Sequence, residues 1–172
     1  RTHISLIRRG IGVGEARAGR LDKAIPSLHL ASSKAPKTPD ESGQPKLYMS
    51  ATRDLAAAFL MAMTAEAGDQ GKRRHAANAG KYLLRIGVEV SDSGPEEAIS
   101  HFIAAARCFQ AAVAPSDALK ALRRAEKLRA VDPRVALGYA TLYDSWSRGH
   151  RRKALPWYRK ALAAAPEHSL ST

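Results

Sequence analysis

One cysteine in 172 residues leaves no partner for a disulfide within the chain and no set of thiolates for a zinc site. That residue, Cys108, sits inside the apolar run FIAAARCFQAAVA and reads as a small buried hydrophobe. Asparagine occurs once, as Asn78. Aromatic residues are only 6% of the chain, and Val/Ile/Thr clusters bounded by turn pairs are nearly missing, so a β-sandwich has little to be built from. The one short run with strand character is LLRIGVEV, residues 83–90. No apolar stretch approaches the ~20 residues of a membrane span; the longest uncharged one is LAAAFLMAMTA, from Leu55. That excludes a spanning helix and leaves peripheral attachment to a membrane surface open.

What the chain does have is alanine, positive charge and a repeated stretch. Its hydrophobic content of 45% excludes wholesale disorder, and abundant alanine favours closely packed helices. The predicted fold class is all-α. The net charge of +12 draws the surface toward nucleic acid, anionic lipid or acidic proteins. It is unevenly placed: residues 120–160 hold twelve Lys/Arg against the acids Glu126, Asp132 and Asp144, which gives that segment +9. The opening RTHISLIRRGIGVGEARAGR is arginine-rich and acid-poor, as an organelle-targeting leader is, although most of it also reads as folded helix. A basic chain is compatible with a mitochondrial or other organelle interior, the favoured compartment, but composition alone does not place it there.

GRLDKAIPSLHLASSKAP begins at Gly19 and GHRRKALPWYRKALAAAP at Gly149. They agree in register at Gly19/Gly149, Lys23/Lys153, Ala24/Ala154, Pro26/Pro156, Ala31/Ala161, Ala35/Ala165 and Pro36/Pro166. Offsets +5, +9 and +12 from each glycine carry Ala24, Leu28, Ala31 and Ala154, Tyr158, Ala161, which lie on one helical stripe. Small residues there admit a neighbouring helix, glycine makes the turn and the final proline stops the helix. Pro26 and Pro156 are expected within about the first turn. A partner helix precedes each copy: SLIRRGIGVGEARA with Leu6, Ile7, Ile11 and Val13 as its apolar residues, and VALGYATLYDSWSR with Tyr139, Leu142 and Trp146.

Tyr139, Leu142, Trp146, Gly149, Ala154, Tyr158, Ala161 and Pro166 resemble the signature of the tetratricopeptide repeat family, with one residue missing around the turn. Gly12, Gly19, Ala24, Leu28, Ala31 and Pro36 fit it without the aromatics. Between them, LYMSATRDLAAAFLMAMTAEAG with KRRHAANAGKYLLRIG forms a further hairpin. So does AISHFIAAARCFQAAVA with DALKALRRAEKLRAVDP, in which Ser116 is the expected N-cap and Pro133 the helix end. The resemblance implies a right-handed solenoid of about four antiparallel hairpins, a single domain over 1–172 with units at 5–36, 47–90, 96–133 and 135–166. A polar, proline-bearing loop, 37–46, separates the first two.

No catalytic constellation, cofactor site or metal site is evident. His3, His29, His75, His101, His150 and His168 are scattered, with no pair at i, i+4, and are expected at the surface or at edges. GIGVG, residues 10–14, lacks the third glycine and the preceding strand of a dinucleotide fingerprint and reads as helix-packing residues. Glu96 and Glu97, after Pro95, suit the positive end of a helix.

The resemblance implies binding rather than catalysis. First helices of successive units line a concave face, which here would carry Arg9, Arg17, Gln110 and Asp144. The family's carboxylate clamp needs paired asparagines, so chaperone-type recognition of peptide C-termini is excluded. GKRRH and GHRRK are expected at corresponding turns, merging Lys72, Arg73, Arg74, Arg151, Arg152 and Lys153 into a basic ridge extended by Arg123 and Arg124. Stacking aromatics for single-stranded bases are not expected, since Trp157 and Tyr158 belong to the repeat's own packing. The expected function is a non-enzymatic scaffold holding protein subunits of a larger assembly. The alternative is a ribosomal or other RNA-associated subunit contacting RNA phosphates.

Overall fold

A computed structural model of the chain describes residues 2–36 and 47–165. The expected loop 37–46, Pro166 and His168 lie outside them. The described residues form helices and no strand: α1 (Thr2–Arg17), α2 (Leu21–Lys34), α3 (Leu47–Ala65), α4 (Asp69–Val90), α5 (Pro95–Ala111), α6 (Pro115–Leu128), α7 (Pro133–Trp146) and α8 (Ala154–Ala164), with a 3-10 turn at Arg151–Lys153. LLRIGVEV is the last part of α4. The fold is all-α: α1–α2, α5–α6 and α7–α8 pack as hairpins, and α3 meets α4 through the rings of Phe59, His75 and Tyr82. The chain divides into two compact units, Arg1–Ile86 and Gly87–Thr172.

In the first unit, α2 packs against both α1 and α3. Gly19 makes the α1–α2 turn at φ +76°, in the left-handed region that glycine enters without penalty. Ala24, Leu28 and Ala31 are buried as a single stripe, at 0%, 1% and 0% exposure. The hydroxyls of Ser32 and Thr52 meet at 2.9 Å. Thr52 spends its one proton on the Tyr48 carbonyl at 2.6 Å, so Ser32 is the donor of the pair. Phe59 of α3 stacks on Tyr82 of α4, ring centroids 5.7 Å apart.

Helix α1 presents the opposite face from the one its apolar residues predict. Leu6, Ile7 and Ile11 are exposed, while Ser5 and Gly12 face the core. Close approach decides this. A Cβ on Gly12 would stand 2.6 Å from Leu28 Cγ, so α2 lies almost on the α1 backbone. Turning the isoleucines inward would take the bare Gly12 backbone away from Leu28 and lose that close contact. Gly14 has no neighbour within 4 Å and plays no such part.

In the second unit, α5 packs on α6 and α7, α6 on α7, and α7 on α8. Pro95, Pro115 and Pro133 each stand at the first position of a helix, where a missing N–H costs nothing. This corrects two expectations. Pro133 opens α7 rather than closing α6, which ends at Leu128, and Ser116 falls inside α6 with Ala114 at the cap. The cap of α7 is Asp132, whose carboxylate accepts from the backbone N–H of Arg134 and Val135. Pro26, unlike Pro156, lies past the first turn of its helix. It leaves the Asp22 carbonyl without the i+4 donor.

The two copies of the repeated stretch also part company in burial. Ala154 is buried at 3%, but Tyr158 is 39% exposed, where its counterpart Leu28 is buried, and Ala161 is only half-buried. The reason is neighbours: α2 has helices on two sides, whereas α8 packs on α7 and the 3-10 turn. Leu155, Tyr158 and Leu162 of α8, with Leu137 of α7, are exposed in consequence. Gly149 has no positive φ and no crowding around its Cα, so it is not needed for the turn in the way Gly19 is.

Candidate interaction surfaces

The four residues expected on a concave face have distinct local roles. Arg9, on α1, is half-buried and pairs with Asp54 of α3 at 2.5 Å, which ties the two helices together. Arg17 is the exposed last residue of α1, where a cation suits the negative helix end. Gln110, on α5, holds its Nε2 buried with no hydrogen-bond partner among the described residues. Asp144, on α7, pairs with Arg151 at 3.3 Å, joining two residues that the sequence assigns to separate surfaces.

The basic residues are corrected in one respect. Lys72, Arg73 and Arg74 lie inside the first turns of α4, not in the turn between α3 and α4. Glu66 makes that turn by accepting from the Gly68 N–H at 3.2 Å. They are therefore not in positions equivalent to Arg151, Arg152 and Lys153, which form the 3-10 turn between α7 and α8. Arg123 and Arg124 are exposed on α6. Arg123, Arg124, Arg148 and Arg152 have no ion pair among the described residues, whereas Lys153 lies over the Tyr143 ring at 5.9 Å.

His75 is half-buried, at the edge of a cleft. Its side chain is 15% exposed, its ring lies 6.0 Å from that of Phe59, and its Nε2 is 3.8 Å from Glu66. It lines an open cleft of about 540 Å³ with Leu21, Ile25, Pro26, Ala62 and Glu66. Glu96 does more than suit a helix end: it accepts from Arg129 at 2.9 Å and from Arg134, which also holds Asp132 at 2.7 Å. The Arg134 guanidinium keeps the Asp132 carboxyl below the usual carboxylate range, against the opposing effect of its burial. No group of three or more His, Cys, Asp or Glu side chains among the described residues is arranged to hold a metal ion, and none of their helices is long and apolar enough to cross a membrane.

The sequence reading missed an aromatic ladder in the last hairpin. Trp157 stacks on Tyr139 at 4.2 Å, Tyr139 on Tyr143 at 6.3 Å, and Trp146 on His150 at 4.6 Å with planes 6° apart. Tyr143 lies 6.3 Å from both Trp146 and His150, nearly parallel to each. Tyr139 is buried, and its hydroxyl donates to Glu126 at 2.8 Å; burial first and that bond second push its pKa up. Tyr143, Trp146, His150 and Trp157 are half-buried. The signal was present as clustering: both tryptophans and three of the five tyrosines fall in residues 139–158.

No family model matches the chain, and no curated protein does. Solved structures resemble it loosely. The one described as MamA MSR-1 C2 is 18% identical, covering 93% of this chain and 95% of that chain, with a TM-score of 0.39. MamA AMB-1 P212121 is 17% identical over 98% of this chain and 97% of its own, with a TM-score of 0.38. At these values the likeness carries no statement about binding or activity.

Proposed function

We propose that the chain is a non-enzymatic protein-interaction scaffold, a helical-repeat subunit of a larger, organellar assembly. The observation that carries this reading is the apolar stripe left open on α8. Leu155 and Leu162 are 54% and 66% exposed, and Leu162, Tyr158 and Leu137 line a groove of about 350 Å³ between α7 and α8. Contiguous apolar surface of this kind marks an interaction site. Its i, i+3, i+7 spacing fits an amphipathic helix of another protein. On α1, Ile4, Ile7 and Ile11 repeat the same spacing. Arg9, Arg17, Gln110 and Asp144, which the sequence assigns to a binding face, belong to this proposal as partner contacts.

The test is co-purification from the native source, with and without nuclease, using the natural chain and the double variant Leu155→Glu/Leu162→Glu. Protein partners that survive nuclease and are lost in the double variant support the reading. Partners retained in full by the double variant overturn it.

A second reading, contact with RNA phosphates, is favoured by the exposed arginines of α6 and the α7–α8 connection that have no ion pair among the described residues. Partners lost on nuclease treatment, and binding that weakens steeply with salt, are its signature.

A further inference from the structure

The aromatic ladder has one closed end and one open end. At the closed end, Lys160 Nζ sits 4.6 Å over Trp157 and covers that ring. At the other, Trp146 and His150 are half-buried and stacked with nearly parallel planes, and a 2.8 Å hydrogen bond between Ser147 Oγ and His150 Nδ1 fixes the imidazole. Four of the seven residues that follow Trp146 are Arg or Lys: Arg148, Arg151, Arg152 and Lys153. Arg148 and Arg152 are exposed with no ion pair among the described residues, Arg151 is held by Asp144, and Lys153 lies over Tyr143. Asp144 is the one acid facing this end from α7, and its charge is already matched by Arg151.

A flat, oriented aromatic surface beside unmatched cations is the combination that binds single-stranded nucleic acid: each base offers a π-face whatever its identity, and the backbone offers the charge. We propose that an unpaired base of single-stranded RNA stacks on the outer face of the Trp146–His150 pair, with flanking phosphates on Arg148 and Arg152. This rests on the second reading above and goes beyond it, because phosphate contact alone needs no ring. Base identity is not read: among the described residues no amide or carboxylate side chain of the α7–α8 connection stands beside these rings except the paired Asp144, so the site prefers strongly stacking purines without requiring a sequence.

The experiment titrates the protein with labelled octa-adenylate, octa-uridylate, linear polyphosphate and poly-glutamate of matched charge, following anisotropy and intrinsic tryptophan emission. The expected result is that octa-adenylate binds more tightly than octa-uridylate, quenches emission and outcompetes polyphosphate. His150→Ala and Trp146→Leu should each weaken octa-adenylate binding about tenfold while leaving polyphosphate binding unchanged. If circular dichroism shows that Trp146→Leu alters the hairpin, His150→Ala, on the turn, carries the decision. Arg148→Ala/Arg152→Ala should weaken both ligands. If octa-adenylate and polyphosphate bind alike and His150→Ala affects neither, stacking is overturned while phosphate contact stands. If neither binds, both fall. If poly-glutamate binds as tightly as octa-adenylate, the site serves an acidic protein and the inference is overturned.

Discussion

Gly12 stands against Leu28 so closely that a methyl group on its Cα would lie 2.6 Å from Leu28 Cγ and 3.1 Å from the Leu28 backbone nitrogen. Gly14, two residues on in the same helix, has no neighbour within 4 Å. Alanine is better than glycine in a helix by about 1 kcal/mol. Gly14→Ala should therefore raise stability by up to about that amount, while Gly12→Ala should lower it by about 1–3 kcal/mol because α2 must back away. Denaturant melts of the two variants should shift in opposite directions.

Val113 provides a second check on backbone chemistry. It closes α5 at φ 57°, a left-handed conformation costly for a β-branched residue, and its side chain is 64% exposed. The Ala114 N–H returns to the Phe109 carbonyl at 2.8 Å, as in a helix-ending motif that ordinarily uses glycine. Val113→Gly should stabilise the chain by about 1 kcal/mol, seen as a higher unfolding midpoint with an unchanged slope.

The hairpins were legible in the sequence because punctuation is local. A glycine, a proline or an alanine at a fixed offset constrains only its own turn of backbone. Which face each helix buries was less legible. Ala31 and Ala161 occupy the same offset, yet one has α3 over it and the other does not, and periodicity does not count neighbours. In α1 the isoleucines gave the apolar face, but the bare backbone at Gly12 determined the packing. The candidate site was legible only as charge. Tyr139, Tyr143 and Trp146 are spaced by four and three, which puts them on one helical stripe, but the pairing of Trp157 with Tyr139 needs the fold of the hairpin, and His150 joins through a turn.

Asp132 should impose an acid limit. Its side chain is 1% exposed and caps α7 while bridging to Arg134. Its folded pKa is held below the ordinary value of ~3.9, chiefly by the Arg134 hydrogen bond, so it contributes stability above that value. The contribution is lost as pH falls through the lower folded pKa. Asp132→Ala should cost about 2 kcal/mol near neutrality and flatten the stability profile below about pH 4.

Ala154 is the one buried residue of α8. Ala154→Arg should cost about 3 kcal/mol or more and loosen α7 from α8, because a long charged group is driven into their contact. Loss of the near-ultraviolet dichroism of the tryptophans, with far-ultraviolet signal largely kept, would be its mark. Replacing Arg151, Arg152 and Lys153 together should spare folding and weaken an anionic partner.

The lone thiol of Cys108 is buried in α5 at 7% exposure, and burial pushes its pKa upward. Both effects silence it toward alkylating reagents while the helix stays docked. Since it has no rival in the sequence, the rate at which it takes up a label becomes a clock for the opening of α5, readable by mass spectrometry on the natural chain without any engineered probe.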